Sequence, residues 1–245
     1  MAHAALKLAL APVLLAQGLA TRARMPRLPE PEGARDGEVG EVGERPPLAL
    51  LLAGDSSAAG VGVAHQRDAL AQPLASLLAT RMSCGVRWRL LARTSLDTEE
   101  TLALLQAQPQ VRTDLAVIVT GVNDVTGRVP VQRALDARAA IVRFLQDTAG
   151  ARHVAFAPLP PLHAFPGLPQ PLRRIAGAEA SRHDEALRDW CAAQEGVSLV
   201  PMSLPLDPAA MARDGFHPGA DAYRWMAQAI AEHLASRPAV EAALR

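Results

Sequence analysis

From Pro47 onward, short apolar runs alternate with longer helix-patterned stretches five times over, a rhythm that few folds accommodate. The runs "LALLLAG" (48–54), "GVRWRLLA" (85–92), "DLAVIVTG" (114–121), "RHVAFAPLP" (152–160) and "GVSLVPM" (196–202) read as strands. Residues 67–82, 97–108, 131–148, 174–195 and 219–237 read as the helices that follow them. In the first helix Leu70, Leu74, Leu77 and Leu78 recur at helical spacing, and the second opens on an Asp or Thr cap with acids in its first turn. The run 114–121 is almost wholly apolar, as a strand buried on both faces has to be. Five strand–helix units predict a five-stranded parallel sheet covered by helices on both faces, spanning 47–237. Ligands of such sheets gather outside the carboxyl ends of the strands.

The first 46 residues follow another pattern. Ala4–Ala20 is apolar apart from Lys7, Pro12 and Gln17, and is shorter than the ~20 apolar residues a spanning helix needs. It reads as a membrane-surface anchor, as a helix packed on the domain, or as a weak signal peptide. Arg22, Arg24 and Arg27 close it and would keep that end cytoplasmic if the run inserted. The segments are therefore 1–27 (apolar segment), 28–46 (a Pro-, Gly- and charge-rich linker) and 47–237 (the domain).

Composition narrows the function. The formal net charge is zero and aromatic residues make up 3 % of the chain, which leaves no basic footprint and few stacking platforms for nucleic acid. Cys84 and Cys191 match no metal-binding spacing and read as free thiols. Neither a metal nor a cofactor is expected, and the expected partner is a small molecule.

Four polar segments fall on one rim of this sheet: Gly54-Asp55-Ser56-Ser57 after the first strand, "ARTSLDT" (92–98) after the second, "GVND" (121–124) after the third, and "DGFHPG" (214–219) before the last helix. Each alone also reads as a turn or a helix cap. Together they hold what acyl transfer needs: a nucleophile, a base, a group to orient the base, and oxyanion donors. Ser56 sits at a strand-to-helix junction. His217 is a candidate base, and Asp214 lies three residues before it across the flexible Gly215. Pro218 keeps His217 out of helical backbone angles, and Asn123 offers an amide N–H.

Gly54-Asp55-Ser56, Gly121-x-Asn123-Asp124 and Asp214-x-x-His217-Pro218, in that order across residues 48 to about 235, resemble the blocks of the SGNH hydrolases, the GDSL esterases and lipases. The resemblance implies a three-layer α/β/α sandwich of flavodoxin-like kind. It implies Ser56, rather than Ser57, as nucleophile, His217 as general base and Asp214 as its orienting partner. It also implies an oxyanion hole made by the N–H groups of Ser56 and Leu96 and the Asn123 amide. Leu96, or else Ser95, stands where the family carries a glycine, and a leucine does not readily adopt positive φ.

The substrate class this implies is a carboxylic ester or thioester. The expected pocket walls are the loops 125–130 and 158–171. The second carries Leu159, Leu162, Phe165 and Leu168, which either line an acyl pocket or cover the end of the sheet. His163 and His183 read as surface or structural residues. Two other readings are a catalytically silent binding protein and a phosphate- or nucleotide-binding module built on the 54–62 turn. The second lacks GxGxxG and a Walker lysine, and leaves Asn123, Asp214 and His217 without a role.

Overall fold

The computed structural model describes residues 2–41, 46–109, 112–202 and 208–237, and within the first helix the side chains from Leu10 onward. The chain opens with helix α1 (Ala2–Arg24) and a four-residue strand β1 (Asp36–Val39). The core strand β2 (Leu48–Gly54) and a one-turn helix α2 (Ser56–Ala59) come next. Then follow α3 (Ala71–Met82), β3 (Val86–Ala92), α4 (Thr98–Gln106) and β4 (Leu115–Val119). A short α5 (Val122–Thr126), α6 (Val131–Ala149) and β5 (His153–Phe156) come after these. The rest is α7 (Leu172–Ala192), β6 (Val197–Leu199) and α8 (Ala220–Ala235).

Among the described residues the strands form one sheet in the order β1-β3-β2-β4-β5-β6, parallel except for β1. Side chains alternate across it. Leu48, Leu50 and Leu52 of β2 pack with Leu115, Val117 and Val119 of β4 into a layer shared with α3 and α8. Leu51 and Ala53, with Ala116 and Ile118, face the opposite layer, built with α6 and α7. The sheet is thus buried on both faces, and the three-layer α/β/α arrangement holds.

The expected sheet of five parallel strands is corrected to six strands with an antiparallel edge. The sixth, β1, comes from the segment read as a linker. Its sequence "DGEV" has no apolar run and little strand propensity, so nothing in its pattern announces it. Pairing from Asp36↔Arg89 to Val39↔Val86 holds it on β3, and Gly37 lies against the Trp88 indole. The chain before it is tied down too. Glu30 accepts hydrogen bonds from the Thr94 N–H at 2.7 Å and from Arg35 at 2.8 Å. Burial would raise the Glu30 pKa, but these bonds hold it below the usual carboxylate value.

At the amino-terminal end of the sheet, Ser198 Oγ lies 2.8 Å from Nε2 of both His153 and His233, all three residues being buried. One hydroxyl proton cannot serve two rings. Ser198 donates to at most one imidazole, and its oxygen accepts N–H from the other ring or from both. Burial and the nearby Arg237 push both histidines down to about 4.

Two predictions follow from these contacts. The histidine pKa values are lower folded than the ~6.5 of a free imidazole. The unfolded state therefore binds more protons between about pH 6.5 and 4, and stability falls as pH drops through that window. Melting temperature recorded against pH reads this directly, and replacing both histidines with apolar residues flattens the dependence. Separately, deletion of residues 1–28 leaves a cooperatively melting domain, whereas deletion of 1–46 strips β1 and the Glu30 contacts and melts several degrees lower by circular dichroism.

Candidate active site

The carboxyl ends of β2 and β4 are brought together by the absence of a side chain. Gly54 has φ 149°, and a Cβ there would fall 2.0 Å from the Val119 carbonyl oxygen. The next residue seals the contact: Asp55 N–H donates to Val119 O at 3.1 Å. Asp55 then caps α2, its carboxylate accepting from Ser57 N–H at 2.9 Å. Burial pushes the Asp55 carboxyl up to about 7, against the opposing pull of that N–H and of the nearby His217. Ser56 is left as the first residue of the helix, its N–H among those that a helix start leaves without an intrahelical partner.

The chain before α8 folds back onto this turn. Gly62 has φ 118° and sits so close to Pro218 that a Cβ would lie 2.1 Å from its carbonyl oxygen. Asp214 Oδ1 accepts from the N–H groups of Phe216 and His217, each at 3.0 Å, and Ala212 N–H donates to His217 O at 2.8 Å. The loop thereby fixes the ring. His217 Nδ1 lies 2.6 Å from Asp214 Oδ2, and Nε2 lies 3.0 Å from Ser56 Oγ. Burial would raise the Asp214 pKa, but the hydrogen bonds from the His217 ring and the two N–H groups hold it below the usual value. An ionised Asp214 accepts a hydrogen bond from His217 Nδ1–H, and the Nε2 lone pair then faces the Ser56 hydroxyl.

Across the crevice, Asn123 Nδ2 donates to the Leu96 carbonyl at 2.9 Å, joining the segments that follow β3 and β4. The left-handed conformation expected near here falls on Ser95, with φ 71°, one residue before Leu96. Leu96 itself is buried, and its side chain is not among the pocket walls.

The next residue, Asp124, had no role in the sequence reading. Its carboxylate accepts from Thr98 N–H at 3.1 Å and Thr98 Oγ1 at 2.6 Å, and lies 3.2 Å from Arg138 Nη2. Asp124 and Arg138 are each 1 % exposed. A sequence signal for this clamp exists: Arg138 interrupts the otherwise apolar inward stripe of Ala134, Ala137, Ile141 and Leu145 on α6.

Beside Ser56 lies a pocket of about 80 Å³, walled mainly by apolar side chains including Val119, Ala157, Phe165, Met202, Phe216 and Met226. Phe216 meets Phe165 edge-on at 5.4 Å and the His217 ring at 5.3 Å. Of the two loops expected as walls, 158–171 contributes Pro158, Pro160, Ala164 and Phe165, while Leu159, Leu162 and Leu168 are buried in the core beneath. The segment 125–130 contributes none of the walls, because Val125 turns into the core and only Val122 and Asn123 reach the pocket from that side. His163 is exposed and His183 buried in α7. Among the described residues no three His, Cys, Asp or Glu side chains stand close enough to hold a metal ion.

A doubly covered, mainly parallel sheet with a Ser–His–Asp chain on its carboxyl rim defines a class of α/β hydrolytic folds. The chain matches the GDSL-like lipase/acylhydrolase family over residues 52–225, and it belongs to that family. Solved structures share its fold. A lipase from a goat rumen metagenome superposes with a TM-score of 0.62 at 16% identity, covering 77% of this chain and 97% of its own. An acetylxylan esterase from Geobacillus stearothermophilus gives 0.54 at 15% identity, covering 79% and 96%. A psychrotrophic esterase from a Pseudoalteromonas species gives 0.50 at 16% identity, covering 75% and 94%. A search of the curated proteins finds no match.

The Asp124–Arg138 pair generates a stability prediction. Asp124→Ala strands a buried guanidinium and costs about 3–5 kcal/mol in urea denaturation. Replacing both partners with apolar residues of similar volume, as in Asp124→Leu with Arg138→Met, recovers much of that loss.

Proposed function

We propose that this acylhydrolase is a serine esterase that cleaves carboxylic esters or thioesters through an acyl-enzyme on Ser56. The observation that carries this reading is the unbroken hydrogen-bonded chain from Ser56 Oγ through both His217 nitrogens to Asp214, with separations of 3.0 and 2.6 Å. As Oγ attacks the ester carbonyl carbon, His217 Nε2 takes its proton, and the Asp214 carboxylate stabilises the imidazolium that forms. The carbonyl oxygen gains negative charge and is met by the Ser56 N–H and by Asn123; the Leu96 N–H, which donates to Arg93 O at 3.5 Å, has to turn from that bond to join them. One Asn123 amide hydrogen is committed to Leu96 O, and the second serves the oxyanion. Collapse expels the alcohol or thiol, which leaves with the His217 proton. Water then gives a proton to His217 and attacks the acyl carbon, and Ser56 departs with that proton.

The pocket supports a substrate range. About 80 Å³ of mainly apolar space is roughly half of the ~150 Å³ that admits a benzene ring, and it suits an acyl group of a few carbons. The alcohol part of the ester lies outside it.

Fluorophosphonate labelling with hydrolysis of p-nitrophenyl esters tests this. Wild type labels at Ser56 and hydrolyses acetate and butyrate with higher kcat/KM than octanoate. Ser56→Ala loses label and nearly all activity, His217→Ala is about as damaging because the two act as a unit, and Ser57→Ala keeps most of it. Asn123→Ala lowers kcat on the order of 10²–10³. Full activity in Ser56→Ala overturns the assignment, and absence of both label and turnover in wild type points to a silent binding protein instead.

A further inference from the structure

Among the described residues, the large hydrophobic side chains that stand exposed all belong to α1: Val13 at 45%, Leu15 at 53% and Leu19 at 63%. The helix packs on α7 through the half-buried stripe Leu10, Leu14, Gln17, Gly18 and Thr21. What it turns outward is also apolar: Ala11, Pro12, Val13, Leu15, Ala16, Leu19 and Ala20. At 100° per residue this face spans roughly 200°. In the last turn Arg22 and Arg24 fall on its two edges, both exposed. No described helix is long and apolar enough to cross a membrane.

Charge selects what covers this face. Residues 1–29 carry Lys7, Arg22, Arg24 and Arg27 and no acid, in a chain whose formal net charge is zero. Pairing with the same face of a second copy would set cation against cation in either orientation. An anionic lipid surface satisfies both the apolar face and the arginines at its edges. The location is equally directed. Gln17 Nε2 donates to Gln170 O at 2.6 Å, and Gln17 Oε1 accepts from Leu172 N–H at 3.1 Å. Arg173 then reaches Phe165 O at 3.4 Å, and Phe165 meets Phe216 edge-on, which in turn meets the His217 ring edge-on. The helix is thus joined to the loop that walls the pocket, and Arg174 stands exposed two residues past the junction.

We propose that α1 seats this protein on an anionic bilayer, with the mouth of the Ser56 pocket held at the lipid surface. The lipid binding is independent of the esterase reading; only the significance of the placement rests on it. An ester carried in the bilayer could then present its acyl group to the pocket while its remaining part stays in the membrane.

The test uses the full chain and two vesicle compositions, phosphatidylcholine alone and phosphatidylcholine mixed with phosphatidylglycerol, in cosedimentation at low and high salt. Wild type binds the mixed vesicles, binds the neutral ones more weakly, and is released by salt. Leu15→Ser with Leu19→Ser weakens binding about tenfold or more. Leu19→Ser alone, at the most exposed position, gives a smaller loss, and Arg22→Glu with Arg24→Glu abolishes the preference for phosphatidylglycerol. All three variants keep the wild-type melting temperature and rate on a soluble p-nitrophenyl ester. Absence of vesicle binding, or equal binding by wild type and the serine variants, overturns the proposal. So does a concentration-dependent dimer in sedimentation equilibrium that the serine substitutions disperse, which would assign the face to a second copy. Binding is measured without turnover, so failure of the ester assays would strike the esterase reading and leave this one standing.

Discussion

The arrangement of the rim depends on how closely β2 runs against β4 at their carboxyl ends. A single glycine with left-handed backbone permits it, and the Asp55 N–H bond to Val119 O keeps it closed. That junction is also where the strand order changes direction, since the chain crosses from β3 over to β4 on the far side of β2. A crevice at such a point is open to ligand because the flanking connections diverge. Ser56 and Asn123 stand on its two sides. Had Gly54 carried a side chain, the strands would part and the two residues would no longer face one another across the crevice.

The second support is electrostatic and buried. Asp124 ties the first turn of α4 to the start of α5 and is balanced by Arg138 from α6. Three elements that meet nowhere in sequence are thereby held at one distance, and the Asn123–Leu96 bond inherits that distance. Apolar residues of similar volume would recover much of the stability lost with a single truncation, but they would leave the Thr98 donors without Asp124 and would not dictate the spacing of the two loops.

The central layers were legible because burial on both faces demands uninterrupted apolar runs: β2 was read with its observed bounds, and β4 falls within its predicted run. The rim was legible because Ser56, Asn123, Asp214 and His217 each follow a strand or precede a helix, where topology alone brings them to one edge. What was not legible has a faint local signature or none. β1 alternates exposed and half-buried residues over only four positions, with a glycine and a single valine on its inner side, too short and too polar a run to read as a strand. The ion pair joins positions fourteen residues apart, and Ser198 meets histidines 45 and 35 residues away. At the segment after β3, Leu96, or else Ser95, was read at the family's glycine, a position where a leucine would resist positive φ. The chain resolves that conflict by placing the left-handed turn on Ser95, and Leu96 turns its side chain into the interior.

The edge strand has one more consequence. A mostly parallel sheet that ended at β3 would present seven residues of open backbone, a template on which another chain could pair. β1 covers part of that edge with a strand of four residues, two of them acidic, and Glu38 is engaged by Arg87 at 2.6 Å. An incoming strand meets charge and glycine where it would need a long, flat, apolar border. The segment that looked like a tether thus guards the sheet against growing into an aggregate.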